Sequence, residues 1–306
     1  MDGASADPPL HDALRDLTLR LAPAGEGRLP HAFLSVVSRI HDLVADLRPS
    51  TDELNAVIEF LTDVGHSADV RRQEWVLLAD VIGVSTRVAD LNCPRPEGAT
   101  PNALPGPFYR EDVPDLPPGA TLSRDGIGEA LQVHLRLTDL QANPVPDALV
   151  EVWQANAFGR YENQDPDLQP EFNLRGRLRG DAEGRLHFRS IKPRGYELPK
   201  DGPVGRLLNA LGLRLERPAH LHFRVSAPGF QTLTTHVFDR ADPAIGHDAL
   251  FGVRPELLAD FRPLGAAGHA LDLTLVLVRR GDDAPPTPPP PNPLPPTAAL
   301  SERKDR

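Results

Sequence analysis

Apolar residues in the first third of the chain recur at helical spacing. Between 33 and 47, Phe33, Val36, Val37, Ile40, Leu43, Val44 and Leu47 form the i, i+3, i+4, i+7 stripe of an amphipathic helix. Ser50-Thr51-Asp52-Glu53 then opens a second helix as a capping box. Its hydroxyl and carboxylate reciprocally satisfy backbone N–H groups that a first helical turn leaves bare. The second stripe continues through Leu54, Val57, Ile58, Leu61 and Val64. A third helix is expected from Asp69 to Leu91, apolar at Trp75, Leu78, Val81, Ile82 and Val88, and a short one over Leu10 to Leu21.

The pattern changes at Asn92. Residues 93–130 carry Pro94, Pro96, Pro101, Pro105, Pro107, Pro114, Pro117 and Pro118, which excludes long helices. From Leu131 the apolar period becomes two, over Leu131–Leu137, Leu149–Gln154, Arg185–Ser190, Leu221–Val225, Thr232–Phe238 and Leu271–Val278. Short strands between turn-rich segments predict a mostly antiparallel β-sandwich, with a helical turn inserted at Leu207–Leu213. The fold class is therefore α+β. A helical region (1–92) leads through a Pro/Gly-rich linker (93–130) to a β-sandwich (131–280). A disordered Pro-rich tail (281–306), rich in prolines from Pro285 to Pro296, follows. A length of 306 residues agrees with about two domains.

Composition narrows the function classes. A net charge of −10 argues against a nucleic-acid partner, which needs clustered Lys and Arg. The single cysteine, Cys93, cannot make an internal disulfide, a thiolate zinc site or an iron–sulfur cluster. No signal peptide and no membrane span are visible, and a soluble, cytoplasmic protein is expected.

The sharpest local feature is Arg217-Pro-Ala-His220-Leu-His222-Phe-Arg224. On a strand, residues i and i+2 share a face, so His220 and His222 project together while Leu221, Phe223 and Val225 face the other way. Paired imidazoles on one face are a common way to hold a transition metal, and surface or hydrogen-bonded histidines are the plainer alternative. No His-Glu-x-x-His helix completes a zinc set. Two of the three tyrosines stand instead in loops after strands, Tyr161 in Val152-Trp-Gln-Ala-Asn-Ala-Phe-Gly-Arg-Tyr161 and Tyr196 in Lys192-Pro-Arg-Gly-Tyr196. Packing over strand ends is their alternative role.

These motifs, with Gly106-Pro107-Phe108, Asp201-Gly-Pro203, Ser226-Ala-Pro-Gly229 and Thr235-His236, resemble the intradiol ring-cleavage dioxygenases over about 30–280. The resemblance implies one Fe(III) per subunit, held by Tyr161, Tyr196, His220 and His222, with Arg217 and Tyr196 catalytic. It also implies a catecholic substrate and O2, and a homodimer built through the helical region, with phospholipid bound there. Phenolate is a hard oxygen donor that favours ferric iron. The cation's field is what ionises a Tyr whose ordinary pKa is about 10.

Within the family, Arg72-Gln-Glu-Trp-Val-Leu77-Leu-Ala-Asp80, Asp201-Gly-Pro-Val-Gly-Arg206 and His236 resemble the hydroxyquinol 1,2-dioxygenases more than the catechol branch. Leu77 and Asp80 are i, i+3 and share a helical face. A carboxylate there suits the third hydroxyl of hydroxyquinol, and pairing of Asp80 within the helices is the alternative. The resemblance adds Gly106, Pro107, Phe108, Leu198, Pro199, Leu250 and Phe251 to the pocket wall. Pro105 and Ala241 depart from the family pattern. Catechol or chlorocatechol cleavage, and a non-catalytic lipid- or ligand-binding homologue, are the competing functions.

Overall fold

Alternation between 131 and 137 becomes the central strand of a sheet. In the computed structural model, which describes residues 13–21, 27–69 and 72–281, β1 (Ala130–Asp139) buries Leu131, Val133, Leu135 and Leu137 and exposes the residues between them. The later strands are β2 (Leu149–Gln154), β3 (Arg175–Arg179), β4 (Arg185–Ile191), β5 (Tyr196–Glu197) and β6 (Glu216–Arg217). They continue with β7 (His220–Ser226), β8 (Leu233–Asp239), β9 (Leu258–Ala259), β10 (Arg262–Pro263) and β11 (His269–Leu277). Sheets ordered β10-β11-β1-β4 and β3-β2-β7-β8-β9 share one apolar core, including Leu131, Val133, Leu271 and Phe188 from the first and Val150, Val152, Leu221, Phe223 and Val225 from the second. Pairings are mostly antiparallel, but β1/β11 and β8/β9 run parallel.

β2 is buried on both faces: Val150 and Val152 join the core, while Trp153 belongs to a separate cluster with Tyr161. The second face is covered by residues of 93–130, with Phe108 and Tyr109 packed against that cluster. The same segment also docks on sheet edges, where the Arg177 N–H donates to the Pro114 carbonyl and its own carbonyl accepts from the Leu116 N–H, and Arg189 likewise donates to Ala120 and accepts from Leu122.

The helices are α1 (Ala13–Leu21), α2 (Arg28–Leu47), α3 (Thr51–His66), α4 (Glu74–Val81), α5 (Val84–Asn92) and α6 (Pro203–Ala210). The capping box forms as expected: Glu53 Oε2 accepts from the Ser50 N–H at 2.7 Å, and Ser50 Oγ from the Glu53 N–H at 3.2 Å. The single helix expected over 69–91 is instead two. Gly83, at φ +74°, turns the backbone left-handed between α4 and α5, where only a residue without Cβ is unstrained. The insertion at 203–210 is a full helix, not a turn.

Two compact units divide at Thr62/Asp63, so α4 and α5 fall in the same unit as the β-region, whereas composition changes only at Asn92. In the first unit α1 packs on α2, and α2 buries none of its residues. The Pro-rich tail lies outside the described residues. No helix among them is long and apolar enough to cross a membrane.

One backbone position allows a sharp stability test. Gly268, at φ +88° and ψ −127°, leads into β11, and a Cβ there would lie 2.1 Å from the Ala130 carbonyl oxygen. Gly265 is also left-handed, at φ +63°, but has nothing within 4 Å. Gly268→Ala is expected to cost more than about 3 kcal/mol, combining strain and clash, against roughly 1–2 kcal/mol for Gly265→Ala. Denaturant unfolding of the two variants checks this, and equal midpoints would refute it.

Candidate active site

The site is built on the face of β2, β7 and β8 that turns away from the sandwich core. Period two sends Leu221, Phe223 and Val225 into that core and leaves His220 and His222 together on the opposite face, both buried. Strand register then fixes the neighbours of His222, which is paired with Trp153 of β2 on one side and His236 of β8 on the other. Its ring stacks on Trp153 (4.7 Å, 14°) and meets His236 edge-on (4.4 Å, 85°).

Tyr161 reaches this face from the loop after β2. Asn156 shapes the loop, its side-chain oxygen accepting from the N–H groups of Phe158 (2.9 Å) and Arg160 (3.0 Å). Gly159 passes so close to Tyr196 that a Cβ would approach the Tyr196 Cβ to 2.9 Å. Tyr196 is held by the two-stranded β5/β6 sheet, in register with Arg217. Tyr161 and Tyr196 meet edge to face at 5.8 Å, and Tyr196 lies 5.8 Å from the His220 ring.

The donor atoms converge. Tyr161 Oη lies 2.8 Å from His222 Nε2 and 3.5 Å from His220 Nε2, and the two Nε2 atoms are 3.2 Å apart. Burial, reinforced by Arg217, pushes His220 down to about 3, and burial with neighbouring His236 pushes His222 well below the usual imidazole value. Both rings are therefore neutral near pH 7. His220 Nδ1 lies 2.6 Å from the Pro218 carbonyl oxygen, so it is the protonated nitrogen and Nε2 turns a lone pair inward. Three donor atoms this close together are what a cation among them would draw on. Burial first, and then Tyr196, raise the Tyr161 phenol well above 10 in the absence of such a cation. This donor set fits a hard trivalent metal. Among the described residues no cluster of three His, Cys, Asp or Glu offers a rival metal site.

A large cleft opens above the donors, walled by Tyr196, Arg217, His222 and His236. Leu77, Asp80, Gly106, Pro107, Phe108, Leu198, Pro199 and Leu250 also line it. Tyr161 and His220 lie buried beneath. Phe251 is not brought into the wall: it is 59% exposed and packs against Gly83. Asp80 is half-buried, and its carboxyl is raised by that burial, against the opposing Ser85 hydrogen bond and Arg217 charge.

Several supporting residues have no local signature. Asp248 accepts from buried Arg217 at 3.1 Å (Nε) and 3.4 Å (Nη2). Burial opposes the charge on Arg217, but Asp248 and both tyrosines outweigh it and hold the guanidinium firmly protonated. Fully buried Glu74 accepts from the Val204 N–H (3.0 Å) and from Arg72 Nε (2.7 Å), fastening α4, which carries Leu77 and Asp80, to the start of α6. Gly202 leaves the room for that junction, since a Cβ there would meet Glu74 Oε1 at 2.3 Å.

A family model described as Dioxygenase matches residues 105–278, and one described as Catechol dioxygenase N terminus matches 26–100. A hydroxyquinol 1,2-dioxygenase of Rhizobium sp. (strain MTP-10005) is 44% identical over 254 residues, 83% of this chain and 86% of its own. An intradiol ring-cleavage dioxygenase of Aspergillus niger is 38% identical over 79% of this chain and 72% of its own. The crystal structure of hydroxyquinol 1,2-dioxygenase from Pseudomonas putida DLL-E4 superposes with a TM-score of 0.82 at 35% identity, covering 88% of this chain and 98% of that one. With both regions matched, this chain belongs to the intradiol ring-cleavage dioxygenase family.

Proposed function

We propose that the chain cleaves hydroxyquinol, 1,2,4-trihydroxybenzene, with O2 between its adjacent hydroxylated carbons, giving 3-hydroxy-cis,cis-muconate and its tautomer maleylacetate. The observation that carries this reading is the convergence of two imidazoles and Tyr161 beneath a cleft whose wall presents Asp80. The family is generally one of non-haem ferric enzymes. Tyr161, Tyr196, His220 and His222 are the residues that would hold one Fe(III) per subunit. When bound, the ion supplies the positive field that ionises phenols and activates a catechol ring towards O2.

The chain's own residues do the rest. Tyr196, at the cleft surface and only half-buried, is the would-be ligand most open to substrate, and its phenol oxygen is placed to take up a substrate proton. The Arg217 guanidinium, fixed by Asp248, stabilises negative charge developing on the opening ring without moving. Gly106 keeps the backbone close to His222, with a Cβ position 3.7 Å from His222 Cε1, so a flat ring fits over the donors. Asp80 accepts a hydrogen bond from the third hydroxyl, and a catechol lacking it leaves that carboxylate with only its Ser85 hydrogen bond.

This predicts a substrate preference that Asp80→Ala erodes. Wild type is expected to favour hydroxyquinol over catechol in kcat/KM. In the variant the ratio should fall by about tenfold or more, the value of one lost hydrogen bond to a charged group. Side-by-side turnover of the two substrates is the test, and a wild-type preference for catechol would defeat this assignment.

The helical region is proposed as the homodimer contact, with phospholipid as a bound partner there. Phe33, Val36, Ile40, Leu43 and Leu47 on α2, and Leu54, Val57 and Ile58 on α3, are exposed apolar side chains in the single chain. Such rows of apolar surface mark interaction sites. The β-region over 131–280 is proposed as the catalytic domain, with 93–130 lining its pocket.

A further inference from the structure

Among the described residues, the largest fully buried side chain is an arginine that the chemistry above does not use. Arg175 is the first residue of β3, and its side chain is 1% exposed. Its Nε donates to Glu162 Oε2 at 2.7 Å, and Nη2 donates to the same oxygen. Nη1 donates to the Phe108 carbonyl oxygen at 2.7 Å. Arg110 closes the other side of the carboxylate, its Nη1 donating to Glu162 Oε1 at 3.1 Å while its guanidinium sits 4.4 Å above the Phe172 ring.

Both ends of this clamp lead to one residue. Glu162 directly follows Tyr161 in the chain, so fixing its carboxylate restrains the Tyr161 backbone. Phe108 stacks on the Tyr161 ring, with centroids 4.4 Å apart and planes 23° from parallel. One guanidinium therefore grips the tyrosine from its main chain and from the wall behind its ring. The approach to Arg175 is itself strained. Phe172 and Leu174 adopt φ +58° and +59°, held around buried Asn173, whose side chain bonds the Arg124 N–H, Asp125 and Gln169. Bulky residues persist in such conformations only where the surroundings over-determine them.

A buried ion pair is weak evidence for added stability, because desolvation offsets the attraction. What a planar fork with fixed donors supplies is geometry. We propose that Arg175 is a positioning residue that, through Glu162 and Phe108, fixes the orientation of Tyr161. The inference rests on the reading of Tyr161 as an iron ligand only for its catalytic consequence.

The three tyrosines make the test direct. Full-length wild type, Arg175→Lys, Arg175→Met and Glu162→Gln, carrying ring-labelled tyrosine, are compared by NMR after chelation and by absorption and kinetics after loading with iron. The Tyr161 ring signal should shift and broaden in all three variants, and by more than that of Tyr196, which senses the change only through its edge contact with the Tyr161 ring. Lysine should not rescue, since it cannot reach Glu162 and the Phe108 carbonyl together. In the loaded proteins the tyrosinate charge-transfer band should move. The kcat should fall about tenfold to a hundredfold, the usual range for residues behind metal ligands, with KM changed by less than about twofold. A lowered unfolding temperature with an unchanged Tyr161 signal and band overturns the proposal. Should the Arg175 variants fail to fold, Glu162→Gln, which keeps both volume and an acceptor, decides the matter alone. A colourless wild type with an intact Tyr161 response overturns the ferric reading and leaves the positioning role standing.

Discussion

Tyr161→Phe should yield a folded, colourless protein that neither retains iron nor cleaves hydroxyquinol. The substitution removes a single oxygen. Stacking on Phe108 and the edge contact with Tyr196 depend on the ring and survive, so unfolding should shift by no more than about 1.5 kcal/mol, the usual net worth of one hydrogen bond. The metal set loses its one fully buried anionic donor, and the remaining imidazoles are neutral. Loss of a direct ligand should exceed the 10–100-fold effect of residues behind the ligands, placing turnover more than about a hundredfold down. Metal analysis, visible absorption and O2 uptake check this together. Stoichiometric iron with full colour in the variant would remove Tyr161 from the ligand set. Tyr109→Phe is the matched control: its hydroxyl donates to Glu151 at 3.0 Å, away from the donors, so iron and colour should remain.

How far the site was legible before the fold follows from the range of each interaction. His220 and His222 were paired by strand period alone, because two residues apart on a strand is a local relation. Helical spacing put Leu77 and Asp80 on one face, the resemblance assigned that face to the pocket, and both line the cleft. The tyrosines were different. Nothing local aims a loop tyrosine at a histidine 59 or 61 residues away, and the motif resemblance brought them in. Asp248 and Arg175 had no signal of either kind. One is a carboxylate in a turn, the other an arginine on a strand whose apolar pattern is only Leu178, and each acquires meaning from a partner that tertiary folding supplies.

The same distinction runs through the fold. Strands with clean alternation were visible, whereas β3, with three arginines in five residues, was not, since burying Arg175 depends on Glu162 arriving from another loop. The break at Gly83 was hidden because apolar residues continue on both sides, and periodicity does not report the sign of φ. Parallel pairing of β1 with β11 was beyond reach for a further reason. The strands are separated by most of the β-region, and no turn chemistry specifies their register.

Arg217→Met is expected to damage both stability and rate, and the two losses can be separated. Arg217 and Asp248 are each 3% exposed, so removing the guanidinium leaves a buried carboxylate without its cation, at a cost of about 3–5 kcal/mol. In wild type, burial tends to raise the Asp248 carboxyl, but Arg217 outweighs it and holds it below the ordinary aspartate value. A depressed folded pKa stabilises above the unfolded value of about 3.9 and is lost as pH falls through the folded one. In the variant the unpaired carboxyl titrates higher and takes up a proton earlier, so the stability gap should narrow on acidification. Asp248→Asn added to Arg217→Met should recover much of the lost stability near pH 7, because an amide keeps an acceptor for the Gly252 N–H, which lies 2.8 Å away. It should not recover turnover. The guanidinium is a buried, preorganised positive charge in the cleft wall, and losing such a group costs about 10²–10³ in kcat. Denaturation across pH with steady-state kinetics on the single and double variants provides the check. Recovery of activity together with stability in the double variant would reduce Arg217 to a scaffold for the cleft.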